Sequence, residues 1–375
     1  MNRREVLPAP DPVPDPVPDP VPSSPPGPPG IPEGPPAAGE SRRGPSVAEA
    51  GLPFRTLAPW LWERFGAEVH RVALDAGSSC PNRDGTKGRG GCTYCDVEGS
   101  GTGALRAGLE LARQLESGLA RVARRGPGTR VIAYFQSYSN TYVERARLEQ
   151  VLSVVEPHLA ARGGPVVALS ISTRPDTLND GALEVLSRWN ERLPTWVELG
   201  LEVADDRLLS QINRLHTVAD FEDCVARAKG AGLTTIGHAI LGLPEDGREG
   251  ARRTAQVLAR CGVDGVKVHH LMVLRRTQLA AAWRAGEVQV LEPETYVDWL
   301  ADFVERLDPR QVLHRITGDS PQADLLAPLW KVHKNRVREM LAAELRRRGT
   351  GQGSLAADQS RLGGPGAAGP DQSRR

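Results

Sequence analysis

Six apolar runs, each followed by an amphipathic stretch, occupy the middle of the chain. They are 69–75 (VHRVALD), 130–136 (RVIAYFQ), 165–171 (PVVALSI), 196–202 (WVELGLE), 233–241 (LTTIGHAIL) and 265–273 (GVKVHHLMV), with a weaker seventh at 311–317 (QVLHRIT). Helical patterns lie near 103–125, 143–161, 177–190, 217–231 and 247–261. Runs that are continuously apolar suit parallel strands covered on both faces. Consecutive βα units of this kind build a barrel or a doubly wound sheet. The strands end in polar or ionisable residues: Ser78 and Cys80, Gln136 and Ser137, Ser172 to Asp176, Glu202, His238, His269 and His270. A doubly wound sheet gathers such groups at one switch point, whereas a barrel collects them from many strand ends. The expectation is an α/β fold, a partial (β/α)6-type TIM barrel.

The two ends differ from this middle. Residues 1–52 carry Asp-Pro-Val-Pro tetrads at Asp11, Asp15 and Asp19, and residues 349–375 are mostly Gly, Ala, Ser, Gln and Arg. Neither can bury enough apolar surface to offset ordering entropy, so both are expected to be disordered. The barrel is expected over 53–320, with a helical extension over 321–348. No apolar run approaches the roughly eighteen residues of a transmembrane helix. No apolar segment follows Arg3 and Arg4, and five cysteines in 375 residues make no disulfide scaffold, so a cytoplasmic protein is expected. The net charge of +1 selects no class of partner. Of the 47 basic residues only five are lysine, a general arginine bias that weakens any arginine cluster as a sign of nucleic-acid binding.

The most distinctive local feature is CPNRDGTKGRGGCTYC, residues 80–95. Gly85, Gly88, Gly90 and Gly91 allow tight turning, so Cys80, Cys92 and Cys95 can approach one centre. Cys224 and Cys261 fall in helical patterns and read as small buried side chains. Three thiolates leave one metal position open, whereas structural zinc sites close all four. On spacing alone, an open iron–sulfur cluster and a zinc site completed by His70 or Asp96 stand level. A redox pair at Cys92 and Cys95 would leave Cys80 unexplained.

With YFQSYSNTY (134–142), STRPD (172–176), WVELGLE (196–202), INRLH (212–216), HAILGLPED (238–246), GVKVHHLMV (265–273) and LLAPLW (325–330), the loop resembles the YhcC-like radical S-adenosylmethionine (SAM) proteins. These are related to the elongator catalytic-subunit branch, and the resemblance runs from about residue 56 to 345. It implies a barrel of the radical SAM type and a [4Fe-4S] cluster on Cys80, Cys92 and Cys95. The open iron would hold the methionine end of SAM, whose reductive cleavage yields a 5′-deoxyadenosyl radical. A reducing donor such as flavodoxin or ferredoxin would supply the electron.

The resemblance also assigns roles. Tyr94 would lie against the adenine, Arg214 would pair with the SAM carboxylate, and Glu202 stands where relatives usually carry a glutamine that bonds the ribose. A carboxylate accepts those bonds but cannot donate. Leu215 replaces a usual glycine. Gln136 and Ser172 are further expected cofactor contacts; Asn140, Thr173, Arg174 and Asp176 are equally plausible as contacts or as turn and cap residues. Tyr94, Tyr134, Tyr138 and Tyr142 cluster in or after the first two strands, as a nucleoside pocket would require. Alternation puts Lys267 and His269 on one strand face and His270 on the other. His238 and His269 are the expected substrate-side residues. The basic segment 322–348 reads as a solvated helix face or a phosphate-backbone contact.

The leading expectation is therefore a radical SAM enzyme acting on wobble uridine of tRNA. The alternatives are the same chemistry on a small metabolite or protein side chain, or a zinc-stabilised binding protein.

Overall fold

The computed structural model describes residues 51–96, 104, 107–318, 320 and 323–356. The Pro-rich head to residue 50 and the tail after 356, both expected to be disordered, lie outside the described residues. Helix α1 (Leu57–Phe65) precedes the first βα units: β1 (Val69–Leu74), α2 (Leu111–Ala123), β2 (Arg130–Phe135), α3 (Arg145–Ser153), β3 (Val166–Thr173) and α4 (Asp180–Asn190). Next come β4 (Thr195–Glu202), α5 (Asp206–Gln211), α6 (Val218–Gly230), β5 (Thr234–Leu241) and α7 (Gly247–Arg260). The chain continues through β6 (Gly265–His270), β7 (Val273–Leu274), α8 (Gln278–Arg284) and α9 (Pro293–Glu305). It closes with β8 (Val312–Arg315), β9 (Leu325–Ala327) and α10 (Lys334–Arg348).

Seven strands form one parallel sheet in the order β1-β2-β3-β4-β5-β6-β8, curled into a partial barrel. Sequence order and sheet order agree, as successive right-handed crossovers require. The run expected over 265–273 is broken at Leu271. Val273 and Leu274 leave the barrel and pair antiparallel with Ala327 and Leu325. Several helices start where a polar side chain meets their free N–H groups. Asn179 caps α4, Asp205 caps α5, and Thr217 with Asp220 forms a capping box on α6.

Strand alternation divides the sheet cleanly. Outward positions such as Leu74, Phe135, Ile171, Leu199 and Val268 join the main core beneath the helices. Inward positions stack in layers, as in closed barrels. The lowest layer is apolar: Ile132, Ala168, Trp196 and Ile236 pack with Leu61 of α1, which seals that end. Trp60 meets Trp196 edge-on at 5.7 Å. One step up, the inward residues are polar: Arg71, Tyr134, Ser170, Glu198, His238 and Lys267. The third layer, at the carboxyl ends, holds Gln136, Ser172, Gly200 and His269.

The C-terminal helix is fastened by charge. Arg348 donates to Asp302 Oδ1 (2.7 Å) and Glu305 Oε2 (3.1 Å), and Arg248 Nε donates to the same Asp302 at 2.6 Å. Arg346 donates to Gly51 O at 3.1 Å and Arg347 pairs with Glu344 at 2.6 Å. Much of the positive charge of 322–348 is thus spent inside the chain. Residues 349–356, expected to start a disordered tail, instead pack against the barrel. Gln352 Nε2 donates to Asp308 O and Gln311 O at 2.8 Å each, bonds that a composition-based reading has no means to see.

One carboxyl group makes stability depend on pH. Asp246, which precedes α7, is buried with its nearest cation, Arg253, 3.6 Å away. Burial pushes its pKa up to about 7, against the pull of Arg253. A folded pKa above the unfolded 3.8 means stability present in acid is lost as pH rises through about 7. Asp246→Asn is expected to stabilise the fold by about 1–3 kcal/mol at pH 8.5 and by little at pH 5. Urea melts at the two pH values check this; an equal difference at both contradicts it.

Candidate active site

The cysteine loop leaves β1 and folds over the carboxyl ends of the strands. Its first turn is closed by Arg83 N and Asp84 N donating to Cys80 O at 2.8 and 3.2 Å. Gly91 N donates to Asn82 O at 2.9 Å, and Cys95 N to Cys92 O at 3.0 Å. Gly91 has a φ of +79° and approaches Arg83 so closely that a Cβ would lie 2.9 Å from its Nε.

The loop is sewn to residues 212–216 across the barrel mouth. Thr93 N donates to Ile212 O at 3.0 Å. Asn82 Nδ2 donates to Arg214 O at 3.0 Å and to Asn213 O. Asn213 Nδ2 returns a bond to Gly91 O at 2.7 Å. Leu215, where a glycine is usual, keeps the left-handed conformation with a φ of +58° and packs against Gly88.

Arg214 is the hub. It is buried, and its guanidinium donates to Gly200 O at 2.9 Å, His216 Nε2 at 3.0 Å and Cys92 Sγ at 3.8 Å. Glu202 Oε1 lies 3.3 Å from its Nη2. Burial and the Arg214 charge hold His216 down at about 3, so its ring is neutral and accepts that bond. Glu202 reaches this place through a φ of +69° at a register shift in β4. Gly200 leaves the room: a Cβ there would sit 2.2 Å from Arg214 Nη2.

Around this mouth opens a cavity of about 450 Å³. The expected site residues Cys80, Cys92, Cys95, Tyr94, Gln136, Ser172, Glu202, Arg214, His238 and His269 all line it. Thr173 and Arg174 line it as well. Asn140 does not: its amide is spent on Phe135 O (3.0 Å) and Ser172 O (2.9 Å), fixing the loop after β2. Asp176 is likewise structural, clamped by Arg174 (2.9 Å) and Lys87 (2.6 Å), which hold its carboxyl at about 2 despite burial. His270 faces away and stacks on Trp330 at 4.0 Å. Of the tyrosines, Tyr94, Tyr134 and Tyr138 face the cavity, whereas Tyr142 bonds Thr86 Oγ1 at 2.7 Å.

In the layer below, the sequence reading named His238 and Lys267 but missed Glu198 and Arg71. Glu198 is fully buried, contacting Lys267, His238 Nε2 (2.9 Å) and Ser170 Oγ (2.6 Å). Burial alone would raise its pKa, but Lys267, His238 and Arg71 outweigh it and hold it well below the carboxylate range. Burial lowers His238, so its ring is neutral at pH 7 and donates from Nε2 to Glu198, leaving Nδ1 an acceptor. His269 is held down by burial and Arg315; its Nδ1 donates to His270 O at 2.9 Å, which leaves Nε2 an acceptor. A charged residue at alternate positions of an apolar run was the available signal.

Comparison with known proteins places this geometry. Residues 83–258 match the Radical SAM superfamily and residues 263–347 match the Radical_SAM C-terminal domain. Protein YhcC of Escherichia coli (strain K12) is 36% identical over 271 residues, covering 72% of this chain and 85% of that protein. The chain is a radical SAM protein of the YhcC-like family. A tRNA uridine(34) acetyltransferase of Dehalococcoides mccartyi is 26% identical over 178 residues, 47% of this chain and 38% of that one. Among solved structures, the archaeal Methanocaldococcus infernus Elp3 shares the fold, with a TM-score of 0.62 at 17% identity. The alignment covers 76% of this chain and spans 64% of the Elp3 chain.

A [4Fe-4S] cluster and SAM are the cofactors of this radical SAM family, and the cavity suits them. The sulfurs receive donors fit for thiolates: Arg83 Nη2 lies 3.3 Å from Cys95 Sγ, and Asn82 and Arg214 each reach Cys92 Sγ at 3.8 Å. Burial and the neighbouring Cys92 push the Cys95 thiol up to about 11, so thiolates at this wall call for a cationic partner. Zinc completed by His70 finds no support. His70 sits near the opposite end of β1, with Nε2 2.9 Å from Glu68. Among the described residues, no group of three or more His, Cys, Asp or Glu is placed to hold a single metal ion. No described helix is long and apolar enough to cross a membrane.

Asn82→Ala would cut the stitches between the cysteine loop and residues 213–214. It is expected to cost about 1–3 kcal/mol of stability, read as a lower denaturation midpoint, with the buried carbonyls left unpaired. An unchanged midpoint contradicts the stitching.

Proposed function

We propose that this chain holds a [4Fe-4S] cluster through Cys80, Cys92 and Cys95, cleaves SAM reductively there, and directs the radical at a uridine of tRNA. The observation that carries the first part is the single cavity in which three thiols, Tyr94, Glu202 and Arg214 meet. When bound, the reduced cluster supplies the electron that splits SAM into methionine and a 5′-deoxyadenosyl radical.

The chain's own residues orient and shield. Tyr94 is half-buried beside Arg214, and desolvation with the adjacent Glu202 raises its phenol, so it stays protonated as an aromatic wall for the adenine. Glu202, braced by Arg214, offers an acceptor to ribose hydroxyls. Gln136 and Ser172, at the ends of β2 and β3, supply further polar contacts. Arg214 offers its charge to the SAM carboxylate from a fixed position. His238 and His269, both neutral, face the deeper space where substrate would enter. A small electron carrier such as flavodoxin or ferredoxin would provide the electron.

The tRNA reading is supported by the D. mccartyi relative, whose name gives tRNA uridine 34 as its substrate. Chemistry on a base requires that base to leave the stack and enter a pocket.

Anaerobic incubation of reconstituted protein with SAM and dithionite is expected to yield 5′-deoxyadenosine, and Cys92→Ala to abolish it. Colourless zinc-loaded protein without that product would overturn the cluster assignment. For the substrate, a deletion strain is expected to lose one modified tRNA nucleoside. An unchanged nucleoside profile, with no salt-dependent tRNA affinity, favours a metabolite or protein side chain.

A further inference from the structure

The barrel floor carries more positive charge than the cofactor needs. Arg71, Lys267 and Arg315 line the deep end of the cavity, below the cysteines. One carboxylate, Glu198, stands behind them, and it is already engaged by Lys267, His238 and Ser170. Arg71 Nη2 lies 3.8 Å from Glu198 and 2.8 Å from His314 Nδ1. Arginine does not lose its proton in a protein, so two guanidiniums facing one carboxylate leave excess positive charge whatever the state of Lys267.

The donors are also incompletely used. Arg71 Nε and Arg315 Nε are buried without a hydrogen-bond partner. Among the described residues, the Arg315 guanidinium makes no hydrogen bond or ion pair. An unmatched buried donor is costly, and a charged one more so. Two such donors on one cavity wall, beside Lys267 Nζ and Tyr134 Oη (3.3 Å apart), form a fork for an oxyanion.

We propose that this floor is a subsite for one anionic group, a carboxylate or a phosphate, on the molecule the radical attacks. Arg315 and Arg71 grip the oxyanion, Lys267 and Tyr134 complete its shell, and Glu198 fixes Lys267. The anion seats the substrate at the bottom of the barrel, with its body extending towards the cysteine end. The neutral rings of His238 and His269 lie on the wall between. The proposal rests on the radical SAM reading of this cavity but not on tRNA, so it survives if tRNA proves not to be the partner.

Calorimetric titration of the full chain with inorganic phosphate, and separately with acetate, at constant ionic strength tests it. One saturable site per chain is expected for at least one anion, and the tighter of the two names the group. Arg315→Gln should weaken that site at least tenfold, while Arg315→Lys should retain a larger share. Arg71→Gln serves as the second variant if Arg315→Gln fails to fold. Absence of saturable binding by either anion overturns the proposal, as does wild-type affinity in Arg315→Gln. Loss of binding in Arg214→Gln alone would move the anion to the rim and overturn it equally. A chain that binds the anion but no tRNA would refute the tRNA reading and leave this one standing.

Discussion

A guanidinium taken out of water must find partners for its N–H groups, and in this chain that demand organises the active site. Arg214 meets it with one sulfur, one backbone carbonyl, one carboxylate and one neutral imidazole. Each partner then constrains something else. Cys92 is held at the mouth of the barrel, Gly200 can carry no side chain, and Glu202 must take a left-handed backbone. The cysteine loop is locked to the same place through Asn82 and Asn213. A loop rich in glycine has little rigidity of its own; it borrows rigidity from a buried charge.

The second organising element is vertical. Parallel strands present alternate residues inward, so the interior is a stack of layers rather than a mixture. An apolar plug beneath Trp196, a charged tier around Glu198 and a cofactor tier at the carboxyl ends follow one another along each strand. Burying the middle tier is costly, and it is tolerable because Glu198 is surrounded by cations and hydrogen-bond donors. The positive charge left once Glu198 is matched, at Arg315 and in part at Arg71, is what the proposed anion subsite draws on.

Much of this was legible in the sequence. The seven apolar runs became the seven sheet strands within a few residues, because strands buried on both faces leave an unmistakable pattern. The helices were less sharp. The pattern near 143–161 yields only Arg145–Ser153, with short 3-10 turns following around Pro157, where an amide donor is missing. α1, the plug, was overlooked because its Trp60 and Trp62 lie in a short segment between the head and the first strand. Arg71 and Glu198 were missed for a different reason: each sits singly inside an apolar run and looks like noise until the strands close, whereas Lys267 was placed on the His269 face but given no role. Asn82 carries no signature at all, since its worth lies in contacts with residues about 130 positions away.

The central claim is that three cysteines leave one iron open to SAM. Electron paramagnetic resonance of the reduced, reconstituted protein reads that open position directly. A four-iron signal whose g-values shift when SAM is added, and shift no further with excess, is the predicted result. A signal indifferent to SAM, or a spectrum requiring a fourth protein ligand on the cluster, would contradict the account.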